Sequence, residues 1–227
     1  MYNPGRGASL DNDSQTLHVS EKGSEMADRR PNILFIMTDD HGIGALSCYG
    51  SAINETPHLD RIANGGMRLD NSYVTYSLCS PSRAALLTGR DPVRHGITTW
   101  IEHWIPIEKG THREGHENMP GDRFTNPSTA PLLTPKNHLY MEHEEVTIAE
   151  VLKSAGYATF MTGKWHLTEN KNKLATGSKE NWPRQRGFDR FFGTLAGAGS
   201  FYTPNTLTLD NDLITAFPKD FYYTTEI

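Results

Sequence analysis

The sequence predicts an α/β protein in which a mixed, largely parallel sheet lies between layers of helices. Three observations carry this expectation. Asn32-Ile33-Leu34-Phe35-Ile36-Met37 is an apolar run without polar alternation, the pattern of a strand buried on both faces. The stretch from Val146 to Gly156 reads as a helix marked at both ends, and the strand-like Tyr157-Ala158-Thr159-Phe160-Met161 follows at once. Such a helix and strand form an α/β unit in the first strand's sheet. A further helix, beginning near Cys79, brings reactive groups at its start.

Composition narrows the function classes. The chain has 227 residues, 36% hydrophobic and 22% charged, with a net charge of −5 and a pI near 6.0. No basic patch points to nucleic acid. The longest apolar run, Ile33 to Met37, is much too short to cross a membrane. Residues 1–30 are rich in Gly, Ser, Asp, Asn and Glu, without an apolar core, so no secretory signal is visible there. They are expected to be a flexible tail outside the fold. Two cysteines exclude a disulfide framework. A bond between Cys48 and Cys79 would consume the candidate nucleophile.

Thr38-Asp39-Asp40-His41-Gly42 stands at the carboxyl end of the first expected strand, where open α/β sheets carry their ligands. Adjacent carboxylates repel unless a cation neutralises them, and oxygen ligands suit a hard cation. A solvated turn explains the same letters equally well. His41 reads as a loop residue beside such a site, and Cys48 as structural. Thr56 to Ala63 is a short helix begun by Pro57, with Leu59, Ile62 and Ala63 on one face and Asn64-Gly65-Gly66 at its end. Met67 to Thr75 alternates enough for a strand that delivers the chain to Cys79.

Cys79-Ser80-Pro81-Ser82-Arg83-Ala84-Ala85-Leu86-Leu87-Thr88-Gly89-Arg90 is the most informative stretch. Pro81 suits the first helical turn, Ser80 can cap, and Gly89 is a natural stop. Cys79 and Arg83 are one turn apart, so the guanidinium lies near the sulfur. Together with the positive end of the helix, they make a site for a tetrahedral oxyanion. A buried cysteine beside a surface arginine is the plainer reading of a lone Cys. A thiolate phosphatase would need an arginine six positions after the cysteine, and Ala85 stands there.

Asp91 to Gly96 turns away from this helix, and His95 reads as a packing residue. From about Trp100 to Met141 the chain is Pro-rich and lacks apolar periodicity, as expected of a long insertion loop over residues 100–142. His103, His112, His116 and His138 match no metal spacing. Trp100 and Trp104 could stack on a sugar or aryl ring. Order returns where Thr147 and Glu150 make a capping box and Val146 and Val151 a hydrophobic staple. Ile148, Val151, Leu152 and Ala155 form the expected buried face. Lys164 and His166 in Gly163-Lys164-Trp165-His166 are two apart, so an extended segment sends both side chains to one side. A fixed cation beside a titratable group suits a polyanion whose chemistry needs proton transfer.

Three of these motifs carry a resemblance. Cys79-x-Pro81-Ser82-Arg83 followed by Thr88-Gly89-Arg90 resembles the sulfatase signature. Gly156-Tyr157 leading to Gly163-Lys164-Trp165-His166 resembles the family's second signature, and Asp39-Asp40 its opening motif. Arg186 to Gly193 is similar to a further family segment. The resemblance implies an alkaline-phosphatase-like fold and hydrolysis of a small-molecule or carbohydrate sulfate ester. It implies that Cys79 is oxidised to formylglycine by a maturation enzyme, and that its hydrate supplies the attacking hydroxyl. Asp39, Asp40 and modified residue 79 would hold Ca²⁺. Arg83 would stabilise the hydrated aldehyde, Lys164 would bind a sulfate oxygen, and His166 would take a proton from the second hydroxyl.

A phosphonate monoester or phosphodiester hydrolase of the same superfamily remains open, as does an inactive sulfatase fragment acting as a binding module. Residues 31–227 are expected to be the N-terminal part of the catalytic domain. Family members complete the metal site with a later Asp followed by Asn or Gln, and bring a further His and Lys to the sulfate. Asp210-Asn211 has the letters of the first pair, but the preceding Thr206-Leu207-Thr208-Leu209 is short and half polar for a buried strand.

Overall fold

The computed structural model describes residues 30–101 and 137–227. The chain divides into two compact units, Met1–Thr56 and Pro57–Ile227. Nearly all of the expected tail, and the expected loop apart from its two ends, fall outside the described residues, as do His103, Trp104, His112 and His116.

The first unit carries two 3-10 turns, Ile43–Ala45 and Ser47–Tyr49. Ser47 and Thr56 lock the end of the unit. Each backbone N–H donates to the other's hydroxyl at 3.0 Å, and the two hydroxyls lie 2.7 Å apart. The expected strand at Asn32–Met37 is not one: the segment joins no ladder among the described residues and exposes Leu34 at 85%. A strand exists only where another backbone pairs with its N–H and C=O groups, and an apolar run does not bring that backbone with it.

The second unit begins with α1 (Pro57–Gly65), α2 (Cys79–Thr88) and α3 (Pro92–His95). Gly89 stops α2 in the left-handed conformation, φ 65°, its N–H donating to the Ala85 carbonyl. Leu78, not Ser80, occupies the N-cap position, with no side-chain cap. Asp91 caps α3 by accepting from the Val93 N–H at 2.9 Å. The expected strand from Met67 to Thr75 is also missing, and Tyr73 is 88% exposed. Its alternating pattern finds no ladder partner among the described residues.

Helix α4 (Ile148–Ser154) carries both bonds of the capping box. The Thr147 hydroxyl accepts from the Glu150 N–H at 3.1 Å, and the Thr147 N–H donates to Glu150 Oε2 at 2.7 Å. Its expected face is corrected: Ala149 is buried, whereas Ile148 and Val151 are about half exposed. Buried Arg186 explains the rotation. Its backbone carbonyl accepts from the Thr147 hydroxyl at 2.9 Å, and its guanidinium donates to the carbonyls of Met141, Glu142 and Glu145. This tether sets the entry of α4 so that Ala149 faces inward.

The sheet has the order β1 (Phe160–Lys164), β2 (Arg190–Thr194), β3 (Leu207–Leu209), β4 (Asp212–Leu213). β1 and β2 are parallel, and the other two pairings are antiparallel. The mixed sheet matches the expectation, but β1 starts three residues later than its apolar pattern and runs through Gly163 and Lys164. Gly163 pairs with Gly193, where an added Cβ would fall 1.8 Å from the Gly163 carbonyl oxygen. Only glycine permits that approach, so β1 can stay paired up to Lys164. The half-polar Thr206–Leu209 stretch supplies β3, with Leu207 and Thr208 buried. Threonine suits such a position, its hydroxyl donating to the Thr206 carbonyl at 3.0 Å. The core joins Trp165, Trp182, Phe191, Leu195, Ile97 and Met141, with Trp165 edge-on to Phe188 at 6.3 Å.

Candidate active site

Cys79 is the first residue of α2 and is half-buried, in no disulfide among the described residues. One turn later Arg83 leaves the helix and donates from Nη1 to the backbone carbonyl of Lys164, 2.5 Å away. That bond ties the cysteine's helix to the end of β1. Past the strand, the parallel pairing continues: the Trp165 N–H donates to the Thr194 carbonyl at 2.8 Å and the His166 N–H to Leu195 at 3.2 Å. Trp165 is buried, and its indole N–H donates to the Thr168 hydroxyl and the Asn181 carbonyl. It anchors the signature from within.

His166 departs from the extended geometry expected of it. Its φ is 60°, in the left-handed region, so the one-side argument from i, i+2 spacing fails here. Parallel pairing of its N–H with Leu195 and the close packing of its ring on Gly197 hold it in that conformation. The ring is buried, and Nε2–H donates to the Ile101 carbonyl at 2.5 Å. Burial pushes its pKa down to about 3; the Ile101 carbonyl opposes this, and the charges of Lys164, Lys173 and Arg83 add to it. His166 is therefore a neutral imidazole within electrostatic reach of Lys164, Lys173 and Arg83. Such a cluster favours a tetrahedral dianion.

Lys173 was not legible as part of this cluster. It lies in the polar run Glu169–Lys173, which reads as a solvated loop, yet it is fully buried. Its ammonium donates to Asn170 Oδ1 at 2.7 Å, and burial lowers its pKa to about 7. Tyr223 was missed as well. It is buried within electrostatic reach of Arg83, and burial raises its pKa. No motif in the turn-rich end of the chain marked it.

In the first unit, Asp39 and Asp40 are exposed, and their carboxylates bring oxygens within 4.8 Å of each other. Asp40 has φ 53°. Two hard oxygen donors held this close fit a cation such as Ca²⁺. Asp210, by contrast, is committed to the sheet. It accepts from the Phe191 N–H at 3.0 Å and from Arg190 Nε at 2.9 Å, which lowers its pKa. His95 is buried, with Nδ1 accepting from the Ile97 N–H at 3.2 Å, the packing role expected of it.

The Sulfatase family model matches residues 31–226, which takes in all three motifs. The chain belongs to the sulfatase family. It is 41% identical to human arylsulfatase A over 165 residues, 73% of this chain and 25% of that protein. Against human steryl-sulfatase it is 36% identical over 167 residues, 72% of this chain and 23% of the other. The chain thus spans about a quarter of the length of these curated relatives. Among solved structures, Ps i-CgsB matches with a TM-score of 0.61 at 22% identity, covering 87% of this chain and 39% of that one. BT4656, in complex with its substrate D-glucosamine-2-N,6-O-disulfate, matches with a TM-score of 0.55 at 31% identity, covering 83% and 28%. The fold of the chain is alkaline-phosphatase-like.

Proposed function

We propose that this protein hydrolyses a sulfate ester, with residue 79 as nucleophile after oxidation to formylglycine by a maturation enzyme. The observation that supports this most is the Arg83–Lys164 bond of 2.5 Å, which draws the nucleophile helix to the strand end bearing Lys164 and His166. The substrate is a sulfated sugar or aryl alcohol, in keeping with the disulfated glucosamine of BT4656 and the arylsulfatase relatives.

Asp39, Asp40 and an oxygen of modified residue 79 would hold Ca²⁺. Held there, such an ion would supply Lewis-acid polarisation of the sulfate and of the attacking hydroxyl. The hydrated aldehyde side chain supplies that hydroxyl, and a second one from which a proton is later drawn. Arg83, fixed at its far end by the Lys164 carbonyl, stabilises negative charge around residue 79. Lys164 binds a sulfate oxygen as charge moves toward the leaving group. His166, neutral and with Nε2–H committed to Ile101, accepts the proton at Nδ1 so that sulfate can leave.

The test measures an aryl sulfate, a sulfated glucosamine and a phosphonate monoester side by side on protein whose Cys79 peptide has been weighed by mass spectrometry. Sulfate turnover that tracks formylglycine content is expected. Faster phosphonate than sulfate hydrolysis assigns the chain to the related hydrolases instead. No turnover with residue 79 modified leaves a binding module.

A further inference from the structure

We propose that Ser80 positions the His166 imidazole through the backbone of Ile101, so that the nucleophile's own helix decides which ring nitrogen is left to take a proton. The catalytic consequence rests on the sulfate-ester reading; the positioning does not. Ser80 follows Cys79 directly and is fully buried. Its hydroxyl does no capping for α2. Instead, its Oγ accepts from the Ile101 N–H at 2.9 Å. Ile101, also buried, offers its carbonyl to His166 Nε2 at 2.5 Å.

A carbonyl only accepts, so Nε2 carries the proton, and in a neutral imidazole the other nitrogen then holds the lone pair. That atom, Nδ1, is buried and has no hydrogen-bond partner among the described residues. Gly197 packs so closely on the ring that even a Cβ there would overlap Cε1 and Nε2, which keeps the imidazole against the Ile101 carbonyl. Removing the Ser80 hydroxyl leaves the buried Ile101 N–H unsatisfied, and the segment must shift to satisfy it. The carbonyl moves with that segment, and the tautomer it dictated is no longer held.

The test uses the full chain with ¹⁵N-labelled histidine and reads each ring's tautomer from two-bond ¹H–¹⁵N spectra, beside steady-state turnover of an aryl sulfate. His166 in the wild type is expected as the Nε2–H tautomer. Ser80→Ala should mix the two tautomers and lower kcat about ten-fold with KM nearly unchanged, the scale on which partners that fix a ring's tautomer act. Ser80→Thr, which keeps the hydroxyl, should restore both. An Nδ1–H tautomer in the wild type overturns the proposal without recourse to any variant, as does a Ser80→Ala spectrum in which His166 is unchanged. Absence of turnover in a wild type that shows the Nε2–H tautomer and its dependence on Ser80 refutes the sulfate-ester reading and leaves the positioning standing. Turnover by a wild type with the Nδ1–H tautomer does the reverse.

Discussion

Gly197 stands so close to the imidazole of His166 that a Cβ added there would fall 2.0 Å from the ring's Cε1. No real structure tolerates that contact, and the ring cannot yield without leaving the Ile101 carbonyl. Gly197→Ala is therefore expected to destabilise the protein by about 1–3 kcal/mol, the range for overpacking a core. Displacing a proton-handling group by an ångström should also reduce turnover about a hundred-fold. Urea unfolding and turnover of the same preparation check both. A variant with wild-type stability and activity would show that the ring has room to spare.

Arg83 spans the distance between α2 and the end of β1, and its planar fork suits that reach. Arg83→Ala should cost about 1.5–3 kcal/mol through the lost charged hydrogen bond. Its loss from the site should lower kcat by about 10²–10³, as for other donors aimed at developing negative charge. Arg83→Lys keeps the charge without the fork and should recover little turnover. Full recovery would mean that charge alone, without the bond to Lys164, is what matters.

Helices were far more legible than strands, for a physical reason. The stop at Gly89 and the capping box of Thr147 and Glu150 both act within a few residues, whereas the short helix α3, which the structure shows after its Asp91 cap, reads only as a turn in the sequence. The strand expected at Asn32–Met37 depends on a distant partner that no local pattern encodes. β3 shows the converse, since Thr208, a polar residue in a half-polar stretch, is fully buried by the strands it pairs with. In the site, the residue types at 79, 83, 164 and 166 were readable from spacing and motif. The left-handed turn at His166 and the burial of Lys173 follow only from how β1, β2 and the Gly197 segment pack.

Asp39 and Asp40 hold two like charges close together, at a cost that a bound cation offsets. Asp39→Asn is expected to weaken calcium binding, read by titration calorimetry. In chelator, the same change should leave the melting temperature unchanged or raised, because the repulsion is relieved. A variant that melts lower than wild type in chelator would show that Asp39 supports the fold through its own bonds and not through a metal.

Stability should rise with pH through two separate windows, each set by a buried base. His166 has an ordinary pKa of 6.5 and a folded value of about 3. Between those values the unfolded chain binds a proton that the native ring refuses, so stability climbs with pH there, by at most about 1.4 kcal/mol per unit. Lys173 repeats the pattern at higher pH, with an ordinary value of 10.5 and a folded value of about 7. Its contribution is fully present above 10.5 and is lost as pH falls toward 7. Most proteins gain nothing from alkali, so an increase from pH 7 to 10 is a signature of this one amine. Lys173→Met removes the titration while keeping an unbranched side chain in the buried position. The difference in urea-derived stability between wild type and Lys173→Met should therefore shift in favour of the wild type as pH rises from 7 to 10, and should be flat between pH 5 and 6. A difference independent of pH across the alkaline range would mean that Lys173 is not held in the low-dielectric position from which its depressed pKa follows.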